Sequence, residues 1–90
     1  MKLVFSNDFD KKLKHLGKKQ SGFVHKIRRR LRIFEANPKD PVLANHKLKG
    51  ELNNVWSITV ERNFRLIYIL TSSDEAYFIG LGTHDEVYRK

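Results

Sequence analysis

The run Phe64 to Leu70, Phe-Arg-Leu-Ile-Tyr-Ile-Leu, sets the strongest limit on what this chain can fold into. It is nearly all apolar, rich in Ile and aromatic side chains, and too short for a typical helix. Those properties predict a strand buried on both faces, in the middle of a sheet. Arg65 breaks the pattern. A guanidinium is always charged, and burying it unpaired is very costly. Arg65 therefore needs a partner: either an Asp or Glu at the end of the strand, or a phosphate, whose geometry the arginine fork matches.

Apolar periodicity places the other elements around this strand. Lys2 to Ser6, with Leu3, Val4 and Phe5 apolar, reads as a first strand. Ser6-Asn7-Asp8 offers N-cap chemistry, and Phe9, Leu13 and Leu16 make a helical stripe that Gly17 is expected to stop. A second helix opens at Ser21-Gly22. Phe23, Ile27, Leu31 and Phe34 share its buried face, with Val24 beside them, and Asn37-Pro38 ends it. Residues 37–45 form a loop with two prolines. His46-Lys47-Leu48-Lys49-Gly50 leads into the sheet, and Gly50 permits a tight turn.

Three strands follow. Trp56, Ile58 and Val60 alternate with Val55, Ser57 and Thr59, giving a strand with one polar face. Glu61-Arg62-Asn63 turns the chain into the central strand, and Ser72-Ser73-Asp74-Glu75 turns it out again. Ala76 to Leu81 is the last strand; Gly80 and Gly82 weaken it and permit a bend or a close backbone approach. The expected fold is α+β: an N-terminal strand, then a two-helix hairpin packed on one face of an antiparallel sheet, then a three-strand C-terminal meander. The other face is expected to stay open, with Arg65 on it. Ninety residues without repeats, low-complexity tracts or linkers make a single domain, residues 1–90.

Composition narrows the partners. The net charge of +8 and a pI near 10.0 favour a polyanion: nucleic acid, an anionic membrane or an acidic protein. Arg28, Arg29, Arg30 and Arg32 crowd the second helix outside its apolar stripe, and read either as a solvated face or as a rail for an RNA backbone. Membrane binding is disfavoured because both helices turn their apolar stripes to the sheet. With no cysteine, the chain has no disulfide and no thiolate metal site, which suits a reducing compartment. Met1 to Ser6 turns polar too soon for a signal peptide, and no apolar run approaches the ~20 residues that cross a bilayer, so a cytoplasmic location is expected. There is no P-loop, no HExxH and no nucleophile elbow.

Leu48-x-Gly50, Trp56-Ser57-Ile58, Asn63-Phe64-Arg65-Leu66-Ile67-Tyr68 and Gly80-Leu81-Gly82-Thr83-His84-x-Glu86-Val87-Tyr88 together resemble the RelE superfamily of toxins, nearest its YafQ-like branch. The resemblance covers nearly the whole chain. It implies a toxin of a bacterial type II toxin–antitoxin pair that enters the ribosomal A site and cuts mRNA without a metal, with a cognate antitoxin as its inhibitor and no cofactor. It also implies that His84 is the catalytic histidine, His46 a second histidine, Tyr88 the C-terminal aromatic residue of the active site and Arg65 an active-site arginine. Two positions depart from the branch: Thr59 stands in place of a histidine and Asn63 in place of an aspartate. Where RelE-type relatives have strand lysines, this chain has Ser57 and Thr59.

Metal-free RNA cleavage needs a base for the 2′-OH proton, an acid for the departing 5′-oxygen, and cations for the pentacovalent phosphorus. Histidine suits proton transfer because its ordinary pKa is about 6.5. In this reading His84 is the general acid, His46 the base or a phosphate contact, and Arg65 the clamp on the scissile phosphate. Lys47, Lys49 and Arg62 hold flanking phosphates, with Arg28, Arg29 and Arg32 extending the RNA path, and Tyr88 packs on a base or orients the ribose. His15 and His25 read as surface residues of the helix hairpin. His84-Asp85-Glu86 is not read as a metal site, since adjacent residues on a strand point to opposite faces. The competing reading is a RelE-fold module that binds RNA or an antitoxin without cutting.

Overall fold

The fold comes from a computed structural model, which describes residues 1–48, 54–83 and 86–87. Strand β1 (Lys2–Phe5) leads into helix α1 (Asn7–Lys19) and helix α2 (Ser21–Ala36). A single 3-10 turn (Pro41–Leu43) precedes β2 (His46–Lys47), β3 (Val55–Glu61), β4 (Phe64–Ser72) and β5 (Glu75–Thr83). The strands form one five-stranded sheet in the order β1-β5-β4-β3-β2, so β4 lies at its centre, where its apolar run predicted. The meander β3-β4-β5 is antiparallel, as expected. The sheet as a whole is mixed, because β1 joins the free side of β5 in parallel, Lys2 opposite Glu75 and Phe5 opposite Phe78.

The helix boundaries have local causes. Ser6 caps α1 through its Oγ, which accepts from Phe9 N–H at 3.0 Å, and Asp8 and Asp10 in the first turn complement the helix dipole. The helix runs two residues beyond Gly17, where the sequence suggested a stop. Gly17 instead lies inside the helix beside α2, where a Cβ would meet Val24 Cγ2 at 3.7 Å, an ordinary van der Waals contact. Gln20 alone separates α1 from α2, and α2 ends two residues before Pro38.

Both helices pack on the same face of the sheet. Phe9, Ile27, Leu31 and Phe34 meet Ile58, Val60, Leu66, Tyr68, Ala76, Phe78 and Leu81, all buried. Aromatic rings organise this layer. Phe34 stands edge-on to Tyr68 and Phe78, with centroids at 4.9 and 5.5 Å, and Phe23 stands edge-on to Phe64 at 4.7 Å.

Burying Phe34, Tyr68 and Phe78 on that face leaves Val55, Ser57, Thr59, Arg65, Ile67 and Ile69 on the other. That second face is less open than the sequence suggested. Arg65 and Thr59 are half-buried, but Ile67 and Ser57 at its centre are buried. Two register shifts shape the sheet beside Arg65. One places an extra residue of β3 between Thr59 and Glu61; the other makes Ile79 the extra residue of β5, between Gly80 opposite Ile67 and Phe78 opposite Tyr68.

Candidate RNA-cleaving site

Two cross-strand rows lie on the face turned away from the helices. The first is Thr59–Arg65–Gly82, and the second is His46–Ser57–Ile67–Gly80. His46 and Arg65 therefore share a face. They are two strands and two residues apart, which puts their α-carbons about 12 Å from each other at ordinary sheet spacings.

The ring of His46 is fixed by local backbone. Its Nδ1 lies 3.0 Å from the carbonyl oxygen of Ala44, whose backbone is left-handed at φ 47°. A carbonyl oxygen only accepts, so Nδ1 carries the hydrogen and donates it. In the neutral ring Nε2 then keeps the lone pair, which is the form a proton acceptor needs. His46 is exposed, so that lone pair is accessible. Nothing in the residue pattern pointed to Ala44, because its role rests on a carbonyl and not on a side chain.

Arg65 has no carboxylate within ion-pair distance among the described residues. Its Nη1 donates to the carbonyls of Arg62 at 3.3 Å and Glu61 at 3.4 Å, both long for hydrogen bonds. The guanidinium is thus folded loosely back onto the β3–β4 turn. Of the two partners the sequence left open for Arg65, an acidic side chain is not the one it has here.

The remaining cations fall into two groups. Arg29 and Arg32 line a cleft with Phe23, His25, Lys26 and Glu61. Lys26 Nζ closes on Glu61 Oε1 at 2.7 Å, and the Glu61 carbonyl in turn accepts from Arg65, so this basic cleft runs up to the Arg65 end of the sheet. Arg62 is exposed in the turn between them. Arg28 belongs elsewhere: it borders a groove with Asp10, Leu13 and Lys14, between the two helices. Arg30 does not join the rail either, since its Nη1 donates to the Val42 carbonyl at 2.8 Å. Lys47 is exposed but pairs with Trp56, in the row that faces the helices, so it leaves the sheet on the face opposite to His46 and Arg65 and does not join them. His15 and His25 are exposed on the helices, as expected. His84, Tyr88 and Lys49 lie outside the described residues.

At the end of β5 the described residues include a reciprocal pair of hydrogen bonds. Thr83 N–H donates to Glu86 Oε1 at 2.7 Å, and Glu86 N–H donates to Thr83 Oγ1 at 3.3 Å. This is a capping box, and its signature Thr-x-x-Glu is readable in the sequence at 83–86 although it carries no chemistry of its own. Below it, Gly82 is buried with φ at +154°.

Among the described residues one ionisable group is clearly perturbed. Tyr68 is pushed up from 10.0 to about 12 because burial disfavours the phenolate, and its hydroxyl donates to Asn45 Oδ1 at 2.7 Å. Asn45 Nδ2 in turn donates to the Pro38 carbonyl at 3.0 Å. This chain of bonds ties the 37–45 loop to the central strand just before His46.

Comparison with known proteins bears on the family and the fold. Residues 1–89 match the family model described as the bacterial toxin of a type II toxin–antitoxin system, YafQ. No curated protein matches in sequence. Among solved structures, YafQ from E. coli strain BL21(DE3) superposes with a TM-score of 0.78 at 24% identity, covering 96% of each chain. A YoeB/ParE toxin from Agrobacterium tumefaciens gives 0.78 at 22% identity, covering 93% of this chain and 99% of its own. The E. coli DinJ–YafQ toxin–antitoxin complex gives 0.77 at 24%, covering 96% and 94%. The mixed sheet under two helices is the fold of these toxins, and with the family model spanning all but the last residue, this chain belongs to the YafQ family of type II toxin–antitoxin toxins.

Proposed function

We propose that this chain is an mRNA endoribonuclease that acts on the ribosome and cuts by internal attack of a 2′-OH, without a metal. The observation that carries the reading is the pairing of His46, with Nε2 accessible, and Arg65, with no acidic partner among the described residues, on one face of a rigid sheet. His46 takes the 2′-OH proton through Nε2 or contacts the phosphate. The 2′-oxygen forms a bond to phosphorus as the bond to the 5′-oxygen breaks. His84 supplies the proton to that oxygen, leaving a 2′,3′-cyclic phosphate and a free 5′-OH. Arg65 swings from the turn carbonyls to the scissile phosphate, where charge builds up. Lys49 and Arg62 hold neighbouring phosphates, the Arg29–Arg32 cleft extends the path, and Tyr88 packs against a base or the ribose; Lys47, on the other face of the sheet, adds only general attraction. Arg28 contributes only general attraction.

The partner that restrains this activity is a cognate antitoxin. Support comes from the family and from the E. coli relative solved together with DinJ. A chain of net charge +8 suits a partner that is acidic where it crosses the basic cleft. Action on ribosomes places the protein in the cytoplasm, and none of the described helices is long and apolar enough to cross a membrane.

A second reading, binding of RNA or antitoxin without cleavage, is favoured by Thr59. It is paired directly with Arg65, where the YafQ-like branch has a histidine. Induced expression in bacteria with primer extension on cellular transcripts separates the two. Cleavage predicts growth arrest and new 5′ ends within coding regions. Sustained growth with intact transcripts, while the protein accumulates in the soluble fraction, would overturn the nuclease reading.

A further inference from the structure

We infer that Asn45 is a positioning residue of the cleavage reaction: held at both ends of its side-chain amide, it fixes the peptide that carries the Ala44 carbonyl, and so the direction and tautomer of the His46 ring. The inference rests on the functional reading above and adds to it a residue that touches neither substrate nor reacting atoms.

Three observations carry it. First, both ends of the Asn45 amide are engaged. Nδ2 donates to the Pro38 carbonyl at 3.0 Å, and Oδ1 accepts from the Tyr68 hydroxyl at 2.7 Å. The Pro38 carbonyl can only accept, so the amide has one orientation and the hydroxyl must donate. Tyr68 is buried on the central strand, so Asn45 is tied to the core of the sheet. Second, the residue before it is strained. Ala44 is left-handed, at φ 47° and ψ 44°, where a Cβ is disfavoured. Such a conformation persists where its surroundings hold it. Here the Ala44 N–H donates to the Pro41 carbonyl at 3.2 Å on one side, and the Asn45 side chain is pinned on the other. Third, the peptide between those two fixed points presents its carbonyl to His46 Nδ1 at 3.0 Å. Nothing else among the described residues hydrogen-bonds that exposed ring, so its Nδ1–H tautomer and the lone pair on Nε2 depend on this carbonyl.

The residue type fits the role. One short side chain has to accept from a hydroxyl and donate to a carbonyl at the same time. The Asn amide does both, whereas an ionised Asp has acceptors only.

Positioning differs from a purely structural role because it depends on His46. Asn45→Ala is expected to lower kcat for ribosome-bound mRNA about a hundredfold, the cost of a misplacement near 1 Å, with KM unchanged. In a His46→Ala background the same substitution should cost nothing further, because the ring it places is gone. A residue that only stabilised the fold would subtract in both backgrounds. Tyr68→Phe frees the Oδ1 end alone and should lose less than Asn45→Ala, again only while His46 is present.

A second measurement is independent of activity. NMR of the imidazole nitrogens in the purified protein should show the neutral His46 ring protonated at Nδ1 and unprotonated at Nε2. In Asn45→Ala the neutral ring should move towards the Nε2–H form that a free histidine prefers, with a smaller move in Tyr68→Phe. If His46→Ala is inactive but Asn45→Ala cuts at the wild-type rate, positioning by Asn45 is wrong and the nuclease reading stands. Equal losses from Asn45→Ala with and without His46 would overturn it as well. If the wild-type chain does not cut at all, the nuclease reading fails, and a neutral ring that keeps Nδ1–H in Asn45→Ala would separately overturn the placing of His46 by Asn45. Should Asn45→Ala not fold, the ring in Tyr68→Phe decides: an unmoved tautomer overturns the role.

Discussion

Arg65 faces Gly82 across β4 and β5, so its partner on that flank has no side chain of its own, and Thr59 is its partner on the other. Its only hydrogen-bond partners among the described residues are two carbonyls of the adjacent turn, at 3.3 and 3.4 Å. Contacts that long are cheap to give up, so a phosphate can draw the side chain away without leaving a strongly held group unpaired.

This gives the first prediction. Arg65→Ala should lower the rate of mRNA cleavage by about 10²- to 10³-fold, the usual loss when one group stabilising the transition-state charge is removed. Arg65→Lys should recover only part of that rate, because an ammonium cannot make the bidentate contact. Arg29→Ala removes a charge farther along the basic cleft and should weaken substrate binding in a salt-dependent way with little change in kcat. Equal losses for Arg65→Ala and Arg29→Ala in single-turnover assays would mean that only bulk electrostatics matters.

The second concerns His46. With Nδ1–H held by the Ala44 carbonyl, Nε2 is the atom available to a substrate. His46→Ala should lower kcat by about 10²-fold, within the range for loss of a general base. His15→Ala and His25→Ala, on the exposed helix surfaces, serve as controls and should cut normally. An active His46→Ala variant would leave His46 as a loop residue with no part in the chemistry.

Much of this was legible in the sequence because binary patterning is strong where one face is buried. Phe64–Leu70 marked the central strand, the Phe23–Ile27–Leu31–Phe34 stripe marked α2, and Ser6 marked the start of α1. The last strand was harder to read for a physical reason. Phe78 and Leu81 both face the helices although they are three residues apart, which no period-2 pattern allows, and the extra residue at Ile79 accounts for it. The parallel placement of β1 could not be read either, since it depends on which edge of β5 is free. At the candidate site, residue types drew attention to His46 and Arg65, which share a face of the sheet. The Ala44 carbonyl that holds the His46 ring has no side-chain chemistry to reveal it.

The third prediction follows from Tyr68. Its folded pKa, raised to about 12, lies above the ordinary 10.0 of an exposed tyrosine. The folded state therefore holds this proton more tightly than the unfolded state. The stabilisation is fully present below pH 10 and is lost as the pH rises from about 10 towards 12. Tyr68→Phe removes the titrating group together with the hydrogen bond to Asn45 Oδ1. It should cost about 1 kcal/mol at pH 7 and flatten the alkaline limb of the stability curve. Melting temperatures of the two proteins at pH 8 and pH 11 would test this; parallel losses on going to pH 11 would show that Tyr68 does not contribute.

The last concerns Ser57, which lies between His46 and Ile67 in their cross-strand row. It is fully buried, and its Oγ has no hydrogen-bond partner among the described residues. A buried hydroxyl without a partner is a net cost, because folding strips its water and returns nothing. Ser57→Ala removes that oxygen at nearly constant shape and should raise stability by about 1 kcal/mol, opposite in sign to most core substitutions. The same variant tests the chemistry. Serine carries no charge and this hydroxyl is closed to solvent, so the assignment of proton transfer to the histidines and charge stabilisation to Arg65 requires Ser57→Ala to cut at the wild-type rate. Denaturant unfolding and a cleavage assay on one preparation measure both. A variant that is more stable but inactive would show that the Ser57 oxygen becomes exposed to substrate during the reaction, and the hydroxyl would have to be added to the site.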